Sequence, residues 1–322
     1  MLNNGDLLKT KYLYTTLLVT GILISLALVT AYNMFNKREC VIHFAVELND
    51  HSAAFWIALD KGWFREEGID VDYTVFSTGL ELATAMARGD VDIAIACIGP
   101  LLVIRSRGSP IKLVAMTHLH GYAIVVRKGI DCIEDLNGKI VSVSGPGSPT
   151  WLLLHLVEER YRLRGLGVRK MPPYIAVNAL LSGKIDAAVL PEHYVTLASH
   201  LSAHILLRSQ DVWPSMPGSG VVVKEDFLTS RRDVVLKIVR ILGRAIEYIE
   251  SNFTDSARIV SKYLASDPGV MEESMSYLDY TLDINVSSIE LYVDYLIHYN
   301  VVDESFDASS FIDLSFLGEL GG

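Results

Sequence analysis

The chain has 322 residues, half of them apolar, and a formal net charge of −10 at pH 7. That length suffices for one large or two medium domains with a sizeable core. An acidic balance with no offsetting basic block argues against nucleic acid as the partner, and three scattered cysteines, Cys40, Cys97 and Cys132, argue against a disulfide framework or a cysteine-rich metal centre.

From Tyr12 to Asn36 no residue is charged, and Leu13–Tyr32 is long enough to cross the hydrocarbon of a bilayer as a helix. Tyr12, Tyr14 and Tyr32 lie at its ends, where interfacial aromatics are favoured. The apolar run is longer than a cleaved signal needs, and Lys37-Arg38-Glu39 before Cys40 is unlike a lipoprotein cleavage site. The expectation is an uncleaved signal-anchor: residues 1–40 form a short tail and a span over about 12–35, and the rest is one globular body on one side of a membrane. Lys9 and Lys11 precede the span while Lys37 and Arg38 follow it, so charge does not set the orientation.

The β-branched, alternating stretch Val41–Glu47 predicts a strand. Asn49-Asp50-His51-Ser52 reads as a loop with helix-capping chemistry, followed by a helix over Ala53–Phe64. Ile69–Phe76 is a second strand, Ser77-Thr78-Gly79 a second loop, and Leu80–Arg88 a helix that ends at Gly89, with a third strand over Val91–Ala96. The second half repeats the pattern: a strand at Lys139–Val143, a loop over Ser144–Thr150, a helix at Trp151–Leu163, a short strand around Val168–Met171, a helix at Tyr174–Leu181, Gly183, and a strand at Ile185–Leu190. Alternation of this kind predicts parallel sheets covered on both faces. Residues 83–95 (ATAMARGDVDIAI) and 177–189 (VNALLSGKIDAAV) align on Gly89 and Gly183, with Asp92 opposite Asp186. The duplication predicts two similar α/β lobes, with Tyr122–Val126 and Gly220–Val223 as strands crossing between them. After Ser230 the chain reads as helical, with Ser230 and Thr254 as candidate caps.

HSAAFWIALDKGWFREEGIDVDY, ARGDVDIA, DLNGKIVSV with its Gly/Ser/Pro loop, and LLSGKIDAAVLPEHY, in this order, resemble the solute-binding proteins of ABC importers for nitrate, sulfonates, taurine and thiamine precursors, over about residues 41–265. The resemblance implies an α/β type II periplasmic-binding-protein fold: two α/β lobes with a hinge, here after an N-terminal transmembrane helix and with a helical C-terminal region. Lobe 1 would comprise 41–122 and 215–322, and lobe 2 residues 123–214. It further implies a protein that performs no chemistry, stands outside the cytoplasm, and hands a small ligand to a membrane permease. No GxxxxGK[ST] sequence occurs, so the ATPase would be a separate polypeptide.

Loops at the carboxyl ends of the strands are where open α/β sheets bind ligands. Ser77, Thr78 and Gly79 lead into one helix, and Ser144, Gly145, Ser148 and Thr150 lead into another. Free N–H groups and hydroxyls there suit a small monoanion such as sulfonate or nitrate. Asn49, His51 and Ser52 follow the first strand, Gly99 stands in the lobe 1 turn Ile98-Gly99-Pro100, and Glu192 and Tyr194 belong to the turn Pro191-Glu192-His193-Tyr194, in which His193 replaces the proline the family carries. His118, in an HxH with His120, is a further candidate, but no acidic or cysteine partner nearby makes it a metal site, so no metal is expected. Gly145 and Gly147 fall short of GxGxxG and Pro149 interrupts them, so no cofactor is expected. The alternatives are a pyrimidine or other heteroaromatic ligand held by His51, Trp151 and Tyr194; an enzyme akin to fungal thiamine-pyrimidine synthases; and the outer half of a sensor.

Overall fold

A computed structural model describes residues 18–25, 40–303 and 305–319. Residues 18–25 are helical. The rest of the expected span over 12–35 lies outside the described residues, and among the described residues no helix is long and apolar enough to cross a membrane. The body that begins at Val41 is built on two five-stranded sheets.

The first sheet has β1 (Cys40–Glu47), β2 (Ile69–Phe76), β3 (Ile93–Cys97), β4 (Ile111–Met116) and β11 (Ser219–Lys224), ordered β2-β1-β3-β11-β4. The second has β6 (Tyr122–Val126), β7 (Ile140–Val143), β8 (Gly167–Lys170), β9 (Ala187–Pro191) and β10 (His204–Arg208), ordered β10-β6-β9-β7-β8. Both are mixed rather than parallel. β1 and β3 run parallel, but β11 enters from the other half of the chain and pairs antiparallel with β3 and β4. In the second sheet β7 runs parallel to β8 and β9, while β6 is antiparallel to β9 and β10. The strands that cross between the halves arrive from the far end and reverse the direction. β5 (His118–His120) and β12 (Leu278–Tyr280) make a small ribbon at the crossing.

The principal helices are α1 (Ala53–Asp60), α2 (Gly79–Arg88), α3 (Ile98–Ser106), α4 (Pro149–Tyr161), α5 (Pro173–Leu181), α6 (Glu192–His200), α7 (Arg232–Ser251), α8 (Phe253–Leu264), α9 (Pro268–Met275) and α10 (Val286–His298). The single helix expected over Ala53–Phe64 is interrupted, because Gly62 takes a left-handed conformation, φ 74°. The turns expected at Ile98-Gly99-Pro100 and Glu192-His193-Tyr194 are instead the first turns of α3 and α6. Ser230 does not cap α7; it closes the preceding short helix by donating to Asp226 O at 2.8 Å. Thr254 lies inside α8 and bonds Glu272 at 2.5 Å, and Asn252 holds the cap position.

The duplicated motif has a structural job. Asp92 exchanges hydrogen bonds with the β1 backbone: its N–H donates to His43 O at 2.9 Å and its carboxylate accepts from His43 N at 3.3 Å. Asp186 does the same with Ile140 of β7, at 2.9 Å in both directions. Each carbonyl then accepts from the crossing strand, Asp92 from Lys224 N and Asp186 from Arg127 N, both at 3.1 Å. Gly89 and Gly183 precede these aspartates with φ of 83° and 70°, the left-handed turn that ends each helix. The repeat therefore docks the parallel strand and the crossing strand onto β3 and β9 in both sheets. Their apolar runs fill the interior, with Ile93, Ala94, Ile95, Ala187 and Ala188 fully or nearly fully enclosed.

Candidate functional site

The carboxyl ends of β1, β2, β3, β7 and β9, with the start of β6, converge on one small cavity of about 30 Å³. Glu47, Asn49, His51, Ser77, Thr78, Gly79 and Cys97 line it from the first sheet's side, and Tyr122, Ser144, Ser148, Pro149, Thr150 and Pro191 from the second's. A larger groove of about 690 Å³ runs past Arg88, Gly89, Ile111 and Lys224, at the other end of the first sheet. The small cavity is the one at the strand ends that both sheets share, where this architecture places ligands.

The structure thus brings together Asn49, His51, Ser77, Thr78, Gly79, Ser144, Ser148 and Thr150. Ser52 is enclosed behind the wall at the start of α1. Gly99 is closed off because the Gly147 carbonyl and the Tyr292 hydroxyl occupy the space beside its Cα. His118 sits in the crossing ribbon: it accepts from Ser219 N at Nε2 (3.0 Å), which assigns its proton to Nδ1, 3.1 Å from Leu119 O. Gly145 folds back as a hydrogen-bond acceptor for Ser148. Glu192 lies beneath the wall, taking hydrogen bonds from Arg208 and from Thr196 Oγ1 at 2.9 Å, so the guanidinium opposes the upward push of burial on its carboxyl. Tyr194 donates across the cleft to Leu48 O at 3.4 Å.

Glu47, Cys97 and Tyr122 complete the wall without having been singled out from the sequence. Each is a strand-terminal residue, and the one available signal was an acid closing an otherwise apolar strand at Glu47. Its carboxylate accepts from Cys97 N (3.0 Å) and lies 3.2 Å from the Cys97 thiol. Asn49 and the Gly79 N–H add hydrogen bonds. Burial nevertheless pushes the Glu47 carboxyl above its ordinary range, and pushes the Cys97 thiol up as well.

His51 is 1% exposed, and its Nε2 lies 3.0 Å from Gly121 O. A carbonyl only accepts, so Nε2 carries the proton and Nδ1 offers a lone pair. Burial, then the neighbouring His118, keeps the ring neutral by lowering its pKa. Its edge meets Tyr122, ring centroids 5.0 Å apart. Among the described residues, His51 Nδ1, Asn49 Oδ1 and the Tyr122 hydroxyl are buried with no hydrogen-bond partner. Such groups are costly unless something fills them.

The two helix starts at the cavity differ. At α2, Thr78 accepts from Glu81 N (3.3 Å) and the Gly79 N–H is taken by Glu47, so the positive end of that helix already holds an anion. At α4, Ser148 Oγ donates to Gly145 O (2.7 Å) and accepts from Trp151 N (3.3 Å). The Thr150 hydroxyl, 3.0 Å away, therefore donates to Ser148 and accepts from Ser144 N. Both hydroxyls are spent in shaping the loop. Pro149 has no N–H, and no hydrogen bond among the described residues uses the Thr150 N–H. That amide is the free donor of the helix start.

Comparison with known proteins agrees with this architecture. The ligand-binding component of an ABC-type import system from Staphylococcus aureus, solved with zinc bound, superposes with a TM-score of 0.79 at 20% identity, covering 87% of this chain and 98% of that one. The alkanesulfonate-binding protein SsuA from Xanthomonas axonopodis pv. citri, bound to MOPS, gives 0.76 at 16% identity, over 85% and 98%. These share the periplasmic-binding-protein fold. In sequence, the taurine-binding periplasmic protein of Escherichia coli (strain K12) is 29% identical over 181 residues, 55% of this chain and 56% of its own. The profile described as NMT1/THI5 like matches residues 49–252, and the chain belongs to that family.

Proposed function

We propose that this chain is the solute-binding component of an ABC importer, standing outside the cytoplasm on an N-terminal membrane anchor over about 12–35. Lobe 1 (41–122 with 215–322) and lobe 2 (123–214) close on a small ligand with an anionic group, a sulfonate in the first instance, and deliver it to a permease driven by a separate ATPase. No chemical step is assigned. The observation that carries the reading is the cavity between the two sheets, with an unused helix-start N–H on one wall and unpartnered buried polar atoms on the other. The relatives' names support the ligand class. The His51–Tyr122 contact favours a heteroaromatic as the second reading.

A thermal-shift screen tests it. The full chain in mild detergent is unfolded and refolded to strip bound ligand, then offered taurine, alkanesulfonates, nitrate, pyrimidines and thiamine. Ligand at about a hundred times its Kd stabilises the fold by roughly 2.7 kcal/mol, a shift of several degrees. A response to sulfonates supports the reading. A response to pyrimidines alone keeps the importer and replaces the ligand class, and silence across the panel removes the cavity as a binding site.

A further inference from the structure

None of the residues lining the cavity is a lysine or an arginine, and Glu47 among them is an acid. The chain as a whole is acidic too, −10 at pH 7. An anion approaching such a body is repelled unless a local positive charge offsets the field. A cation stands at the seam between the two walls. Lys170 is the last residue of β8 and pairs with Val143 at the end of β7, and Ser144 of the cavity wall comes next. Gly145 follows, buried, with φ 139°, a backbone conformation that suits glycine. A Cβ there would lie 2.9 Å from Leu80 Cδ1 and 3.0 Å from Lys170 Cε. Leu80 directly follows Gly79, which lines the cavity from the first sheet's side. The lysine stem and the leucine tip, one from each side, therefore lie together over the Gly145 turn. Nζ is one bond beyond Cε, the residue is exposed, and among the described residues no carboxylate pairs with it.

We propose that Lys170 is the entry residue of this cleft: its ammonium draws an anionic ligand to the seam, and its aliphatic stem, laid beside Leu80, seals the seam behind it. This rests on the importer reading and deepens it by naming how the ligand enters and what delays its escape. The two parts of the role use different parts of one side chain, since a lysine keeps its methylenes on apolar surface while its head stays in water. The charge acts on approach, over a screening length of about 8–10 Å at ordinary salt. At about 5 Å in water a unit charge changes the local concentration of a monovalent ion by roughly three- to fourfold. The stem acts on departure. Gly145 serves both, because a side chain at that position would press the stem and Leu80 away from the turn.

The test is stopped-flow binding of ethanesulfonate to the full chain, stripped of ligand and read by tryptophan fluorescence, with Trp151 directly after the cavity residue Thr150. Lys170→Met keeps the stem and loses the charge. Its association should be about threefold slower than the parent's at about 20 mM salt, a gap that narrows toward about 200 mM, with dissociation unaltered. Lys170→Ala loses both parts, so dissociation should also quicken by about threefold or more. Lys170→Arg should restore the association rate. The residue is exposed, so these changes leave the core intact. No gap in association between Lys170→Met and the parent at low salt would overturn the entry role and leave the importer reading standing. Dissociation unaltered in Lys170→Ala would overturn the seal. Failure of the unaltered chain to bind ethanesulfonate at all would overturn the sulfonate reading and this role with it.

Discussion

Asp50 lies between the cavity residues Asn49 and His51, fully enclosed, and accepts from the Ser274 hydroxyl on α9. Burial raises its carboxyl to about 6, with the Ser274 bond pulling the other way. In the unfolded chain the same group titrates near 3.9. The folded state therefore holds the proton more tightly, and stability falls as pH rises from about 4 to about 6. A gap of that size is worth on the order of 3 kcal/mol. Asp50→Asn keeps an acceptor for Ser274 and removes the titration. Urea unfolding at several pH values should show the variant gaining on the parent as pH rises through this window, and parallel curves would sink the assignment. At this scale the sequence marked the loops but not the walls between them. Asn49, His51, Thr78 and Ser148 could be found because polar residues cluster after apolar strands. Tyr122 could not, since it reads as a strand residue until the neighbouring strand ends are in place, and Glu47 gave only the signal of an acid closing an apolar strand.

Among the elements, the repeated Gly-x-x-Asp unit could be read from the sequence, but the use of its aspartate could not. Spacing shows a helix end followed by a strand; it does not show that the carboxylate accepts from the backbone of a different strand. Asp186 carries the larger load. Burial pushes its carboxyl up, but the Ile140 N–H and the Arg127 guanidinium, 2.8 Å away, outweigh that and hold it below the usual range. Asp92 has a longer bond to His43 N and a Lys224 contact at 3.5 Å. Replacing either by Ala orphans a strand N–H and should destabilise by about 1–3 kcal/mol, with Asp186→Ala the worse of the two. Chemical denaturation of the single variants measures this. The reverse order would mean that the repeat is not held together by these carboxylates. The same two positions explain why the expected parallel sheets came out mixed: each aspartate carbonyl also receives a strand arriving from the other half of the chain.

For the whole molecule, two sheets and the strands that cross between them were legible because the motif occurs twice, whereas the contacts that draw the two sheets' loops together involve residues with no sequence pattern of their own. Gly99 is one. A Cβ there would press on the Gly147 carbonyl of lobe 2 and on the Tyr292 hydroxyl of α10, closer than packed atoms approach. Tyr292 in turn bonds Gly147 O at 3.3 Å, so α3, α10 and the Gly147 loop meet at one point. Gly99 begins a helix, where Ala is well tolerated by the backbone. Gly99→Ala should therefore act as a wedge between the lobes, leaving lobe 1 folded and shifting the population toward the open form. Ligand affinity falls by about tenfold, and X-ray scattering shows a larger radius of gyration that ligand no longer reduces fully. Tyr292→Leu in the same background removes the hydroxyl together with the ring carbon behind it, and so relieves that part of the clash. The Gly147 carbonyl then remains as the obstacle, so the affinity loss persists if closure is what Gly99 permits. Full recovery in the double variant would place the strain inside lobe 1, and an unaltered affinity in Gly99→Ala alone would remove this contact from the closing surface.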